Sequence, residues 1–566
     1  MSPRLGRSAR RSTGDAIAMH ESVAPDRWCV TKHDLKDLRS EVLKAIQSGQ
    51  IASPSSTSSQ SDDDSETSMD DDYYYGPSIY TVNEQYIKPV TAHAGKMSWA
   101  LMRNPYGLKC DLFVSHAWQE GIFEFLSKVL SSWPLAAHRA RHAWCCMLAN
   151  PQNLNIGSML QSPRSSPFAL ALQAASYVMV VPNRHKSVYS RLWCGYEAYV
   201  ASEDAKIIRI ATAPSRKPMG LALLGASLPM LLGTSLGILA RVFDWEVRVE
   251  GVLVATLAAL LSAFTRKRCN QAANYLGLLV CTCLEIRWSP LRRALRFQAL
   301  PPPIENIAQH VTFLGFTSYF VLAESDRVRS LQIEEEGRQL RKGYQGSIRF
   351  ADCTGAADRQ NIWDEIGDKV DAVDHAVHVL ISAGVSSPAL RCAEEQGVDI
   401  QDAGHAEVAI AVVFLGPFLC LSILNPTVVI LVDEQTTLSW TNTSVVLLGA
   451  FARLMFLVVM CARSLDERSF MLKVISKLMT SVGLPAVSVI AVIVHFNDHV
   501  ASLVVKWVFT SFHATFVVSL LFALLGIKGT LALPGGKHLL QYFYARRLCY
   551  SGPGKSSPSL SSSDTE

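Results

Sequence analysis

Between Cys110 and Ala211 short apolar runs alternate with helical patterns. Asp111–Ser115 reads as a strand. Gly121–Ser132 reads as a helix, with Ile122, Phe125, Leu126, Val129 and Leu130 on one face. A second strand is expected within His142–Leu148, a helix over Phe168–Ala175 and a buried strand over Tyr177–Val181. Ser190–Ser202 then reads as a helix and Lys206–Ala211 as a last strand. Strands apolar on both faces and separated by helices predict a parallel sheet covered on two sides. The pattern therefore defines an α/β domain over residues 105–215.

Longer apolar runs follow. Met219–Ala240 carries no charge over 22 residues, enough at about 1.5 Å per residue to cross a hydrocarbon layer of about 30 Å. Val249–Thr265 is shorter and is closed by Arg266, Lys267 and Arg268. Four more candidates are Glu407–Val432, Thr443–Ala462, Met479–Phe496 and His499–Leu525. Six crossings are expected, as a hairpin over residues 216–268 and a four-helix region over 407–527. The weaker stretches Ala272–Ile286 and Ile307–Ala323 are left uncrossed. With six spans the basic segments Arg216–Lys217, Arg266–Arg268, Arg287–Arg296, Arg463–Lys477 and Lys528–Arg547 share one side. By the positive-inside rule that side is the cytosol. The chain is thus expected to be an integral membrane protein with the α/β domain, a helical region over 269–406, the tail 528–566 and both termini in the cytosol.

In the middle region Ile362, Ile366, Val370, Val373, Val377 and Leu380 recur at spacings of four and three, and Gly384 follows as a stop. This narrow stripe either packs on the chain's own domain or self-associates as a coiled-coil seam. Residues 1–104 are rich in Ser, Asp and Arg and are expected to be a mostly disordered arm, clearly so from Ser53 to Asp72. One marginal helix is expected in it, over Lys32–Gln47. Arg4, Arg7, Arg10 and Arg11 have no apolar h-region behind them, so no cleavable signal is expected.

Composition sharpens this division. Charged residues make up 18% of the 566, hydrophobic ones 49%, which argues against a wholly soluble enzyme. The net charge of +4 combines unlike parts, because Asp62–Asp72 holds seven acids and no base. Elsewhere 53 bases face 42 acids, an excess of +11 suited to an anionic leaflet and not specific to nucleic acid. The thirteen cysteines show neither zinc spacing nor a disulfide framework, and no metal is expected.

The α/β domain holds the sharpest motifs. Asp111-Leu-Phe-Val-Ser-His-Ala-Trp118 and Ser190-Arg-Leu-Trp-Cys-Gly-Tyr-Glu197 lie about 75 residues apart. Together they resemble the Toll/interleukin receptor (TIR) family, in which a first strand ending in Ser precedes a helix opening with Ser-x-x-Trp-Cys-x-x-Glu. The resemblance covers residues 105–215 and implies a flavodoxin-like sheet. It also implies a role in signalling or assembly, by self-association of TIR domains or by cleavage of NAD at the nicotinamide–ribose bond. On that reading Glu197 is the catalytic carboxylate and NAD a substrate, not a bound cofactor. Independently of the family, Trp193, Glu197 and Ala201 share a largely apolar helix face, where an ionised carboxylate needs a partner or has a raised pKa. Ligands of open parallel sheets bind beyond the carboxyl ends of the strands. His116 and Trp118 follow the first strand there, and Arg184 and Lys186 follow Val181. Trp118 is a candidate stacking surface, and His116, Arg184 and Lys186 are candidate phosphate contacts. The alternative is a channel or transporter regulated by this domain, with Arg453, Lys506 and His513 lining a path.

Overall fold

The computed structural model describes residues 13–51, 75–134, 140–214, 216–243, 249–264, 267–288, 304–353, 355–400 and 517–544, with scattered positions between 403 and 478. The N-terminal part contributes α1 (Thr13–Ser22), β1 (Val30–Thr31) and α2 (Lys32–Gln47). The domain continues with β2 (Leu112–Ser115), α3 (Ile122–Ser131), β3 (His142–Cys145), α4 (Pro167–Ala174), β4 (Tyr177–Val180), α5 (Leu192–Glu203) and β5 (Ile207–Ile210). Four long helices follow: α6 (Arg216–Val242), α7 (Val249–Phe264), α8 (Lys267–Trp288) and α9 (Ile304–Arg341). Then come α10 (Ala356–Ile366), α11 (Val370–Ala383), β6 (Val385–Ser386), α12 (Pro388–Glu395) and α13 (Gly536–Tyr544).

The sheet order is β1-β3-β2-β4-β5-β6, parallel through β3, β2, β4 and β5 and antiparallel at both edges. All four residues of β2 are buried, as its two-sided apolar pattern predicts. Because β3 joins one side of β2 and β4 the other, the chain reverses its direction of winding at β2. In open α/β sheets ligands bind at such a switch point, in the crevice outside the carboxyl ends of the strands, here β2 and β4.

At the domain's borders one expectation is corrected and one open alternative is decided. Residues 13–51 and 75–104 are built into the fold, not a disordered arm. Thr31 caps α2 through a reciprocal box with Asp34, and Leu35, Leu38 and Val42 bury against Phe125, Val129 and Ala143. Residues 52–74, which include the whole Ser53–Asp72 run, lie outside the described residues. The Ile362–Leu380 stripe is divided by a 3-10 turn at Gly367–Lys369, and all six of its apolar residues pack with α5 in the domain's own core. Of the two readings left open for this face, packing on the chain's own domain is the one the structure shows. Ile366→Val should lower stability by about 1 kcal/mol and leave the oligomeric state unchanged, as urea unfolding and sedimentation would report.

The expectation of six crossing helices also changes. Among the described residues, Met219–Val242 is the one helix long and apolar enough to cross a membrane. Leu221, Leu224, Leu228 and Leu231 on it are exposed. At 16 residues α7 is short of the roughly 20 a span needs. Val517–Leu531 and Gly536–Tyr542 pass that test only as a pair, bent by 114°. The candidates at 407–432 and 479–496 lie outside the described residues, as do nearly all of 443–462 and the first part of 499–525. The stretches left uncrossed form continuous helices instead. In α8, Gly277 lets Phe320 of α9 approach so closely that a Cβ there would fall 2.2 Å from its ring. Between α7, α8 and α9 Ser262 bonds Asn274, Asn274 donates to Glu324 at 3.2 Å, and Arg327 pairs with Glu324 in a bidentate contact.

Candidate functional site

The site is built at the carboxyl end of β2. Ser115, the strand's last residue, donates its hydroxyl to Glu197 Oε2 at 2.5 Å. Glu197 lies in the second turn of α5 and is 7% exposed. Burial raises its pKa from the ordinary 4.5 to about 7, against the Ser115 hydrogen bond and the nearby Arg191 charge, which both lower it. A carboxyl group so placed is close to half-ionised at neutral pH, where it can give or take a proton.

Around it the next ring of side chains is soft and neutral. His116 Nε2 lies 3.2 Å from Cys146 Sγ, and Trp118 Nε1 donates to the same sulfur at 3.2 Å. Burial drives the His116 pKa down to about 3, with the Arg191 charge acting in the same direction. Burial also pushes the Cys146 thiol up to about 12 and raises that of Cys194. Neither thiol is a thiolate at neutral pH, so nucleophilic sulfur chemistry is not what these residues offer. On its other side His116 Nδ1 stands 3.3 Å from Glu120, whose carboxyl is buried and held well above the usual range.

The N-terminal segment closes over this end of the sheet. Ile79 N donates to Glu120 O at 3.0 Å, Ile122 N to Pro77 O at 2.9 Å, and the Tyr80 ring lies 5.3 Å from that of Trp118. Gly121 is required there, since a Cβ would fall 2.3 Å from Tyr75 O.

Of the residues expected at the site, the structure brings His116, Trp118 and Glu197 together. His116 is sealed inside with a neutral ring, so it is placed to orient its neighbours and not to meet a phosphate. Arg184 and Lys186 turn elsewhere. The Arg184 guanidinium lies 3.6 Å from the Tyr75 ring centre, and Lys186 pairs with Asp352 at 2.9 Å. Trp193 stacks on Phe168 at 5.3 Å, both half-buried against the edge of the core. Arg453, Lys506 and His513 lie outside the described residues. Ser115 and Arg191 complete the site without having been singled out as binding or catalytic. Ser115 was detectable as the one hydroxyl ending any of the four central strands, and Arg191 as the base one helical turn and a half before Glu197.

Compared with protein-family models, with curated proteins and with solved structures, the chain matches none. Fold and site together define a class: a mixed α/β domain with a parallel-centred sheet, a buried near-neutral carboxyl group at its switch point, and at least one helix fit to cross a membrane.

Proposed function

We propose that this chain is a membrane-anchored protein whose α/β domain, flavodoxin-like and of the TIR type, binds a nicotinamide dinucleotide at the β2/β4 crevice and hydrolyses its nicotinamide–ribose bond, as an element of signalling. The observation that carries the reading is the Glu197 carboxyl group, buried at the end of β2 with a pKa of about 7. In such a reaction the bond from ribose C1′ to the pyridinium nitrogen breaks, nicotinamide leaves with the bonding electrons, and water supplies the new C1′–O bond. Ionised Glu197 stabilises the oxocarbenium-like state and takes the proton from water; the products are nicotinamide and ADP-ribose. Trp118 and Tyr80 offer the aromatic surface for a planar base. The anchor in this proposal is Met219–Val242, with its exposed leucines.

The test uses the full chain reconstituted in lipid nanodiscs and incubated with NAD. Release of nicotinamide is expected, increasing with protein density if assembly contributes. No release at high density would overturn the hydrolytic reading and leave the domain as an assembly module.

A further inference from the structure

Three segments stand around the carboxyl ends of β2 and β4: α3, whose Phe125 ring lies 4.8 Å from that of His116, the loop from Pro182 to Ser190, and the first turn of α5, which leads to Glu197. All three are gripped by one element, the end of α9 and the strap that follows it to Asp352, which comes from the long-helix bundle and packs into the domain's core through Leu340, Ile348 and Ala351. Lys128 of α3, buried, bonds Glu336 of α9 at 2.6 Å, Gln339 at 2.9 Å and the Pro182 carbonyl at 2.7 Å. Lys342 donates to Arg184 O at 2.8 Å and its own carbonyl accepts from Ser187 N at 2.8 Å. The strap then runs parallel to the start of α5, with Asp352 N donating to Ser190 O at 2.7 Å and Leu192 N to Asp352 O at 2.9 Å. Ile348 sits against Gly195, where a Cβ would approach to 3.0 Å.

The other half of α9 belongs to the long-helix bundle. Phe320 fills the space over Gly277 of α8, and Glu324 bonds Asn274. From Phe320 to Glu336 the helix is unbroken, a rod of about 24 Å. A rod held at both ends moves both ends together.

We propose that α9 and its strap are a lever through which the arrangement of the helical bundle sets the position of Glu197, so that the membrane-associated part of the chain controls the carboxyl group. This rests on the function proposed above only for what the carboxyl group does; the coupling has its own readout.

The test is hydrogen exchange, read by mass spectrometry, on the full chain in nanodiscs. In the bundle, Gly277→Ala forces Phe320 and with it α9 away from α8. At the grip itself, Glu336→Gln removes the one of the two charges facing Lys128 that α9 supplies, and leaves Glu124 of α3 in place. Both should speed exchange of the Ser187 and Leu192 amides by about tenfold, with the β2 and β4 amides unchanged within about twofold. Gly220→Ala, on α6 with nothing within 4 Å of the added carbon, should change neither. Acceleration confined to α8 and α9, or spread evenly through the sheet, would overturn the lever. If Gly277→Ala does not fold, Glu336→Gln alone decides by the same criteria. Absence of NAD hydrolysis in the wild-type chain would leave this readout intact and count only against the hydrolytic reading.

Discussion

Glu197→Gln should lower nicotinamide release roughly 10³-fold and, at the same time, make the chain more stable above pH 7. The first effect follows from removing the carboxylate that, in the proposed reaction, stabilises positive charge at the sugar. The second follows from linkage. The folded-state pKa of Glu197 is raised from 4.5 to about 7, so the fold favours the neutral acid. Its contribution is fully present below about pH 4.5 and is lost as pH rises through about 7. Glutamine never ionises, so above pH 8 the variant should exceed wild type by about 3 kcal/mol, and near pH 4 the difference should vanish. His116 titrates with the opposite sign. Its pKa is depressed from 6.5 to about 3, so its contribution is present above about pH 6.5 and is lost as pH falls towards 3. Both proteins carry His116, so the difference between their urea-unfolding curves isolates Glu197.

Lys128→Met should cost about 3–5 kcal/mol. The ammonium group is buried between Glu124 at 3.0 Å and Glu336 at 2.6 Å. Burial alone would lower its pKa, but the two carboxylates more than reverse that and hold it charged. Methionine fills much of the same space and leaves two carboxylates facing an apolar interior with no cation. Adding Glu336→Leu should recover part of the loss, because it removes one of the two uncompensated carboxylates and leaves an apolar pair in place of Lys128 and Glu336. Urea unfolding of the single and double variants measures both steps.

The four central strands were legible because each is a short apolar run between helices, and two-sided burial leaves no other pattern. The edges were not. Val30–Thr31 and Val385–Ser386 are two residues long and lie far along the chain from the strands they join, so no periodicity marks them. The N-terminal arm was misjudged because the Ser/Asp run dominates its composition. Trp28, Leu35, Leu38 and Trp99 on either side carry enough apolar surface to fold onto the sheet. The stripe from Ile362 to Leu380 was read with the right residues and an open partner, since a spacing of three and four identifies a face but not what covers it. Glu197 was legible as a carboxylate on an apolar helix face. Lys128 was not, because a lysine four residues after a glutamate on a helix reads as a solvated pair. Only the arrival of α9, more than 200 residues later, turns it into a buried one. In the same way, reading Ile307–Ala323 as a separate apolar stretch hid its continuity with the polar residues after it, which α9 joins in one helix.

The pH dependence of kcat/KM for nicotinamide release, measured on wild type and on Ser115→Ala, tests the role of the buried carboxyl group most directly. Wild type should gain about tenfold per pH unit below about pH 7 and level off above it, as the ionised form accumulates. Ser115→Ala removes a hydrogen bond that lowers the Glu197 pKa, so its inflection should move to higher pH. A profile flat from pH 5 to 9, or an inflection that Ser115→Ala leaves in place, would contradict the assignment of Glu197 as the reacting group.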